Sequence, residues 1–281
     1  MANEKPFISH SVVVFLKLGG SLITDKTRAY TARHEVIARL ASEVHQALNA
    51  APDLKLLIGH GAGSFGHWAA KPYGTRQGVH TPAQWRGYAE VAAAAASLNC
   101  IVTDALIEAG IPVLSVQPSA SARCHDGVLK YMDTYPIHAA LAQGLVPLVY
   151  GDVALDGVRG GTIISTEDIF LYLADELHPA HILLLGEVPG VLDPDGAVVP
   201  HITPANFPAL RQSLAGSEGV DVTGGMANKV ARMVELVQRH PETCVYILSG
   251  TEPGLLARLL SLSPSLPGEG MKVLGTRITA R

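Results

Sequence analysis

Short apolar runs alternate with longer segments of helical periodicity along most of this chain, and no other feature limits its fold as strongly. Six apolar runs have the length of buried strands: Val12–Leu18, Leu54–Gly59, Val113–Val116, Leu145–Tyr150, His181–Leu185 and Cys244–Leu248. Five longer segments predict helices: His34–Asn49, Ala83–Ala109, Thr134–Gln143, Glu167–Leu177 and Ala227–Arg239. Strands that are apolar throughout are typical of parallel sheets covered by helices on both faces. The sequence therefore predicts an α/β fold, an αβα sandwich with a mainly parallel central sheet.

No linker divides the chain cleanly, so we expect residues 1–281 to form a single domain. Within it, the pattern indicates an N-terminal lobe of residues 1–178 or so and a C-terminal lobe of residues 179–281. The Pro-, Gly- and Ser-rich segment Ser261–Gly270 is predicted to be a surface loop before a last strand, Lys272–Ile278.

Composition argues against several classes of protein. The net charge of −4 offers no basic surface for nucleic acid or an anionic membrane. No uninterrupted apolar run approaches the roughly 18 residues of a membrane span, and the apolar run near the N-terminus is predicted to be a strand and not a signal peptide. The three cysteines, Cys100, Cys124 and Cys244, are odd in number and far apart. We therefore expect buried, reduced thiols and a cytoplasmic location.

Glycine clusters follow several of the predicted strands, at the sheet edge where α/β proteins bind ligands. The clusters are Gly19-Gly20-Ser21, Gly59–Gly66, Gly151 and Gly224-Gly225. Glycine lets the backbone approach phosphate oxygens closely, and main-chain N–H groups then bind the anion. The neighbouring polar residues are Lys17, Lys26, His67, Asp152 and Lys229. Because phosphoryl transfer depends on positioning and charge stabilisation, lysines beside glycine loops suit that reaction. Lys17 lies inside an apolar run, so an alternative to a role in catalysis is a structural one, as a buried ion pair with Asp152.

Two familiar phosphate motifs fail in the Gly59–Gly66 cluster. Gly61 to Gly66 match G-x-G-x-x-G, but Glu90, at the distance expected for a ribose-binding acid, lies in a helix-forming segment and not at the end of a strand. The same residues have P-loop spacing, but His67 stands where Lys is required and Trp68 where Ser or Thr is required. A dinucleotide-binding protein and a Walker-type NTPase are therefore disfavoured.

Four motifs in order resemble the amino acid kinase family from about Phe15 to Val230. They are Leu16–Lys26, His60–His67, Val116–Ser119 and Asp221–Met226 with Lys229. The resemblance implies a kinase that uses ATP with Mg²⁺, the metal being held mainly by nucleotide phosphates and water rather than by dedicated protein ligands. It also implies a homodimer, an acceptor-binding N-terminal lobe and a nucleotide-binding C-terminal lobe.

Residue roles follow from that resemblance. Lys17 and Lys229 are expected to contact the ATP phosphates, Lys26 to stabilise charge at the acceptor side, and Asp152 to orient the lysines. The implied ATP-binding residues are Lys17, Gly19, Gly20, Ser21, Gly63, Glu187, Gly190, Gly225 and Lys229. The implied acceptor-binding residues are Ala62, Gly63, His67, Tyr88, Val91 and Thr166. His60 is assigned a structural role.

His67 indicates which acceptor to expect. In family members that phosphorylate phosphates or phosphonates, the matching histidine contacts the acceptor's phosphoryl oxygens, and an imidazole N–H suits an anionic acceptor. Isopentenyl phosphate is the leading acceptor, with a phosphonate such as fosfomycin or UMP as alternatives; a non-catalytic nucleotide-binding regulator is a further one. The apolar, alanine-rich segment Val91–Ala96 favours a hydrocarbon tail. Four positions depart from the family pattern: Ala62, Thr166, Glu187 and Pro189.

Overall fold

A computed structural model describes residues 12–215, 225–262 and 275–281. Its strands are β1 Val13–Leu18, β2 Lys55–His60, β3 Val113–Ser115, β4 Arg123–His125, β5 Val128–Tyr131, β6 Val146–Tyr150, β7 Asp152–Asp156, β8 Gly160–Ile164, β9 His181–Gly186, β10 His201–Ile202, β11 Cys244–Ser249 and β12 Gly275–Ile278. Its helices are α1 Gly20–Ile23, α2 His34–Ala50, α3 Gly63–Ala70, α4 Pro82–Glu108, α5 Tyr135–Ala142, α6 Thr166–Leu177, α7 Phe207–Ala215, α8 Gly225–Arg239 and α9 Leu255–Ser261.

The central sheet has eight strands in the order β10-β12-β11-β9-β1-β2-β6-β3. All neighbouring pairs in it are parallel except β11 and β12. Strand β1 lies in the interior of the sheet, between β2 and β9, and this explains why its residues are apolar apart from Lys17. Val14 and Leu16 pack into the core on one face, whereas Val13 and Phe15 pack into the core on the other. The predicted αβα sandwich is thus confirmed, with the six predicted strands present to within about one residue.

A second, four-stranded sheet has the order β5-β4-β7-β8 and was not predicted from the sequence. Its turns are joined by the carboxylate of Asp156, which accepts backbone N–H bonds from residues 126, 127, 158 and 159. Burial opposes ionisation of Asp156, but these bonds hold its pKa below the ordinary value. Its strand β7 directly follows β6, so the second sheet adjoins the carboxyl end of that strand of the central sheet.

Helix α4 is the one helix of the described residues that is long and apolar enough to cross a membrane by length and composition alone. Its buried side chains, Val91, Ala94, Leu98, Val102 and Leu106, join the core that also contains α2 and β1. Core helices of globular proteins commonly meet the same test. The thiols of Cys100, Cys124 and Cys244 are unpaired, as expected, but Cys100 is exposed and Cys244 is only partly buried, so the expectation of buried thiols holds only for Cys124.

Candidate active site

The loops that follow β1 and β2 are in direct backbone contact. A Cβ atom added to Gly20 would lie 2.5 Å from the nitrogen of Gly63, and one added to Gly61 would lie 2.9 Å from the nitrogen of Gly20. A Cβ on Gly19 would meet the carbonyl oxygen of Leu185 at 2.4 Å. Glycine is therefore required here for the packing of the two loops against each other and against β9. This packing places both loops at one edge of the central sheet.

Position 63 also requires glycine, for both its backbone conformation and the space around it. Its φ is +49°, and an added Cβ would lie 2.1 Å from the hydroxyl of Thr24. That hydroxyl accepts the N–H of Ser64 and donates to the carbonyl of Gly20, so it connects the two loops. The departure at Ala62 fits the structure without strain, since its φ and ψ are −74° and −12°. An added Cβ on Gly66 would lie 2.6 Å from the Cβ of Ala62, so glycine at 66 makes room for alanine at 62.

Lys17 forms a buried ion pair at the carboxyl end of β1. Its Nζ lies 2.5 Å from Oε1 of Glu167, in the first turn of α6, and both residues are less than a tenth exposed. Burial would raise the pKa of Glu167, but the charges of Lys17 and Lys229 outweigh it and hold that pKa below its ordinary value. Glu167 is therefore a carboxylate placed among the cations assigned to the nucleotide phosphates. Sequence reasoning missed its role.

Asp152 was expected to orient the lysines, and in the described residues its hydrogen bonds go elsewhere. Its carboxylate accepts the backbone N–H groups of Ser119, at 3.0 Å, and of Val153, at 2.8 Å. Burial raises the pKa of Asp152 in spite of these bonds. The structural pair that was considered for Lys17 thus exists, but with Glu167 as the partner and not Asp152.

His67 and Lys26 are exposed on the N-terminal side of the site. His67 lies on α3, four residues after the left-handed Gly63. Lys26 lies in the segment between α1 and α2. This segment packs on α3 through an edge-to-face contact of Tyr30 with Phe65, whose ring centroids are 5.8 Å apart. The fold thus brings the Lys26 segment and the helix of His67 together.

His60, at the end of β2, is buried. Its ring stacks on Tyr150 with centroids 5.5 Å apart, and its Nε2 lies 3.3 Å from Oδ1 of Asn99. Burial lowers the pKa of His60 to about 4, so the ring is neutral near pH 7. A buried neutral ring that stacks within the protein fits a structural role.

Thr166 and Val91 were both assigned to acceptor binding, but their side chains make contacts within the protein. The Thr166 hydroxyl donates to the carbonyl of His60 at 2.7 Å, so it joins α6 to β2. Val91 is 3% exposed and lies in the core.

Tyr88, in contrast, is only partly buried; burial and the nearby Asp152 raise its pKa to about 12. In the alanine-rich segment Val91–Ala96, which was expected to favour a hydrocarbon tail, Ala93 is exposed whereas Ala95 is buried, so these two alanines lie on different faces of α4.

The residues that the resemblance assigns to the nucleotide follow β9 and begin α8. Glu187 pairs with Arg33 at 2.5 Å, and an added Cβ on Gly190 would meet the Thr276 hydroxyl at 2.7 Å. Gly225 begins α8, and Lys229 lies in its second turn. The first four residues of the motif Asp221–Met226 lie outside the described residues. Within the described residues, no group of three potential metal-binding side chains lies at the glycine loops.

Comparison with known proteins gives consistent results. The model of the amino acid kinase family matches residues 12–248. The isopentenyl phosphate kinase of Methanothermobacter thermautotrophicus is 35% identical over 96% of this chain and 100% of its own length. That of Haloferax volcanii is 38% identical over 88% of this chain and 98% of its own length.

Solved structures agree with these relatives. An isopentenyl phosphate kinase structure superposes with a TM-score of 0.76 and 32% identity, covering 95% of this chain and 100% of the other. The product complex of the Thermoplasma acidophilum isopentenyl phosphate kinase superposes with a TM-score of 0.73 and 28% identity, covering 95% and 99%. With the parallel sheet, the paired glycine loops and Lys17 at the end of β1, these matches show that the chain belongs to the amino acid kinase family.

Proposed function

We propose that this protein transfers the γ-phosphoryl group of ATP to isopentenyl phosphate and so produces isopentenyl diphosphate. The observation that carries the proposal is the extent of the likeness to isopentenyl phosphate kinases, which runs through nearly the whole chain and not through one motif. The acceptors UMP and fosfomycin have no comparable observation in their favour.

The charges at the site suit this reaction. Lys17 and Lys229 would bind the ATP phosphates, and Glu167 would hold Lys17 at the end of β1 between substrate turnovers. Lys26 and the exposed His67 would bind the acceptor phosphate. That phosphate is already ionised near pH 7, so its oxygen attacks the γ-phosphorus in line without a general base, and the bond to the ADP oxygen breaks.

The same site offers no dedicated place for a metal ion in the described residues, where Glu167 is already paired with Lys17. This donor set fits a metal that arrives with the nucleotide. When bound, Mg²⁺ would neutralise charge on the transferring phosphate groups. We further infer a cytoplasmic enzyme that acts as a homodimer.

A panel of acceptors with Mg-ATP tests the proposal. Isopentenyl phosphate, UMP and fosfomycin are assayed separately, with product identified by mass and ATP consumption corrected for a control without acceptor. We expect kcat/KM to be highest for isopentenyl phosphate. Preferred turnover of UMP or fosfomycin would refute the assignment of the acceptor, and ATP binding without any transfer would favour a regulator.

A further inference from the structure

A second cluster of chemically reactive side chains lies at the opposite edge of the central sheet. His178 caps the C-terminus of α6, just before β9, and His240 and Glu242 lie between α8 and β11. These are the amino ends of β9 and β11, whereas the glycine loops follow carboxyl ends. A six-residue strand spans about 20 Å, so the cluster is separate from the proposed active site.

The potential ligand atoms of this cluster converge. Nδ1 of His178 lies 3.9 Å from Oε1 of Glu242, and Nδ1 of His240 lies 3.6 Å from the same oxygen. One potential ligand atom from each of the three residues lies within 4.8 Å of those of the other two. Ligand atoms around a tetrahedral Zn²⁺ lie about 3.3 Å apart, given metal–ligand bonds of about 2.0–2.1 Å. Shifts of a fraction of an ångström to about 1.5 Å in exposed side chains would complete that geometry.

The other nitrogen of His240 is held in the way that metal-binding histidines usually are. Nε2 of His240 lies 2.8 Å from Oδ1 of Asp175, and the other oxygen of Asp175 accepts a bond from Arg239 at 2.8 Å. A carboxylate on one ring nitrogen fixes the proton there and leaves Nδ1 as a lone-pair donor. The His240 side chain is 8% exposed, so the ring is fixed in place.

Exposure of the other two ligands provides access for an ion. The side chains of His178 and Glu242 are 65% and 56% exposed. His178 is also one of the few non-glycine residues with a left-handed backbone, at φ 43°, and this conformation directs the chain from α6 into β9 beside His240. Two imidazoles and one carboxylate are typical ligands of Zn²⁺ and are unlike the all-oxygen sets of Mg²⁺ and Ca²⁺.

We propose that His178, His240 and Glu242 form a binding site for Zn²⁺ or a similar transition-metal ion, with water as the fourth ligand. The site joins the end of the N-terminal lobe to the C-terminal lobe, on the side away from the glycine loops. Its ion would therefore stabilise the junction of the lobes without taking part in phosphoryl transfer.

Metal titration of the full chain tests this site. Tag-free protein is stripped with a chelator and titrated with Zn²⁺ by calorimetry, without nucleotide, and with Co²⁺ by visible absorption. We expect one Zn²⁺ per chain, with Kd raised at least tenfold by His178→Ala and by Glu242→Gln. Asp175→Asn should raise it about 10–100-fold, since it removes the bond that orients His240. His240 itself is not substituted, because its buried ring also supports the fold.

The matched control is His125→Ala, which removes an exposed histidine of the four-stranded sheet and should leave Kd unchanged. Zn²⁺ should also raise the Tm of the unaltered protein and of the His125 variant but not of His178→Ala. Unaltered affinity in both His178→Ala and Glu242→Gln would overturn the proposal, as would the absence of binding below millimolar Zn²⁺.

Discussion

Lys17 Nζ and Glu167 Oε1 lie 2.5 Å apart although 150 positions separate them in the chain. The pair joins the end of the central strand β1 to the first turn of α6, and both side chains are buried. The lysine that we propose to bind the ATP phosphates thus has its charge balanced by a carboxylate inside the protein. The carboxylate also fixes where the ammonium group lies.

Lys17→Ala should abolish turnover while the secondary structure persists, because the mutation removes a cation assigned to the ATP phosphates. It should also lower the free energy of unfolding by about 3–5 kcal/mol, since a buried carboxylate loses its partner. The double variant Lys17→Met/Glu167→Gln should recover much of that stability but no activity. Steady-state kinetics and urea unfolding measure the two effects. Near-normal kcat in Lys17→Ala would contradict the assignment.

Glu167 should make stability depend on pH in the acid range. Its pKa is lower in the folded protein than its ordinary value of 4.5, so the unfolded chain binds the proton more readily. The stabilisation is therefore complete above about pH 5 and is lost as pH falls through the folded pKa. Unfolding free energies between pH 3 and 6 should fall less steeply with acid in Glu167→Gln than in the unaltered protein. Equal slopes would show that Glu167 does not titrate as the structure implies.

His60 should also make the free energy of unfolding depend on pH, over a range that overlaps that of Glu167 but extends to higher pH. Its pKa is about 4 when folded and 6.5 ordinarily, so stability should fall as pH drops from 6.5 to 4. The loss of folding stability is about 3 kcal/mol at most, because the pKa falls from 6.5 to about 4 and each pKa unit corresponds to about 1.36 kcal/mol. His60→Gln keeps a hydrogen-bonding group towards Asn99 but cannot titrate there. Its unfolding free energy should vary less between pH 4 and 6.5; an unchanged dependence would place the titration elsewhere.

His67→Ala should lower kcat/KM for the acceptor while leaving stability nearly unchanged, because the side chain is exposed. Loss of a charge-assisted hydrogen bond costs about 1.5–3 kcal/mol, or roughly ten- to more than a hundredfold. The paired control, His60→Ala, should instead show its main effect on Tm, since that ring is buried and stacked on Tyr150. If His67→Ala and His60→Ala lowered kcat/KM by the same factor and had the same Tm, the acceptor-binding histidine would have been misassigned.

We predict that a homodimer forms through the exposed face of the four-stranded sheet. Tyr131, Arg123 and Leu155 are neighbours across its strands, and the two apolar side chains are 47% and 55% exposed. Leu155→Asp should therefore weaken association, whereas Val188→Asp, at an exposed position in the other lobe, should not. Sedimentation velocity over a wide concentration range checks both. A 29.6 kDa species at every concentration of the unaltered protein would exclude the dimer.

The inner strands of the central sheet were predictable because they are buried on both faces and consist mainly of apolar residues. Strands of three to five residues with mixed exposure, such as Arg123–His125, carry no such pattern, and the second sheet was missed for that reason. Glycine clusters correctly marked the edge at which two loops meet. They gave no indication that those glycines are also required for contact between the loops.

The partner of Lys17 could not be found from the sequence. Asp152 follows a predicted strand end and so appeared to face the lysines, whereas Glu167 occurs in an acidic pair at a helix start. The two acids have different partners. Asp168 accepts hydrogen bonds from the N–H and the hydroxyl of Ser165 at the N-terminal cap of α6, whereas Glu167 pairs with the buried lysine. Such a division of roles depends on the path of the helix and not on local composition.

Strand β1 is hydrogen-bonded along most of its length to β2, which precedes the predicted lobe boundary near residue 178, and to β9, which follows it. A hinge between the lobes would have to break main-chain bonds in the middle of a parallel sheet. Large rigid-body opening, as in enzymes whose two halves share only a linker, is therefore disfavoured. Substrate entry and product release would then depend on displacements of the loops at the carboxyl edge, so that substitutions in those loops, and not at the lobe boundary, should govern the rate of product release.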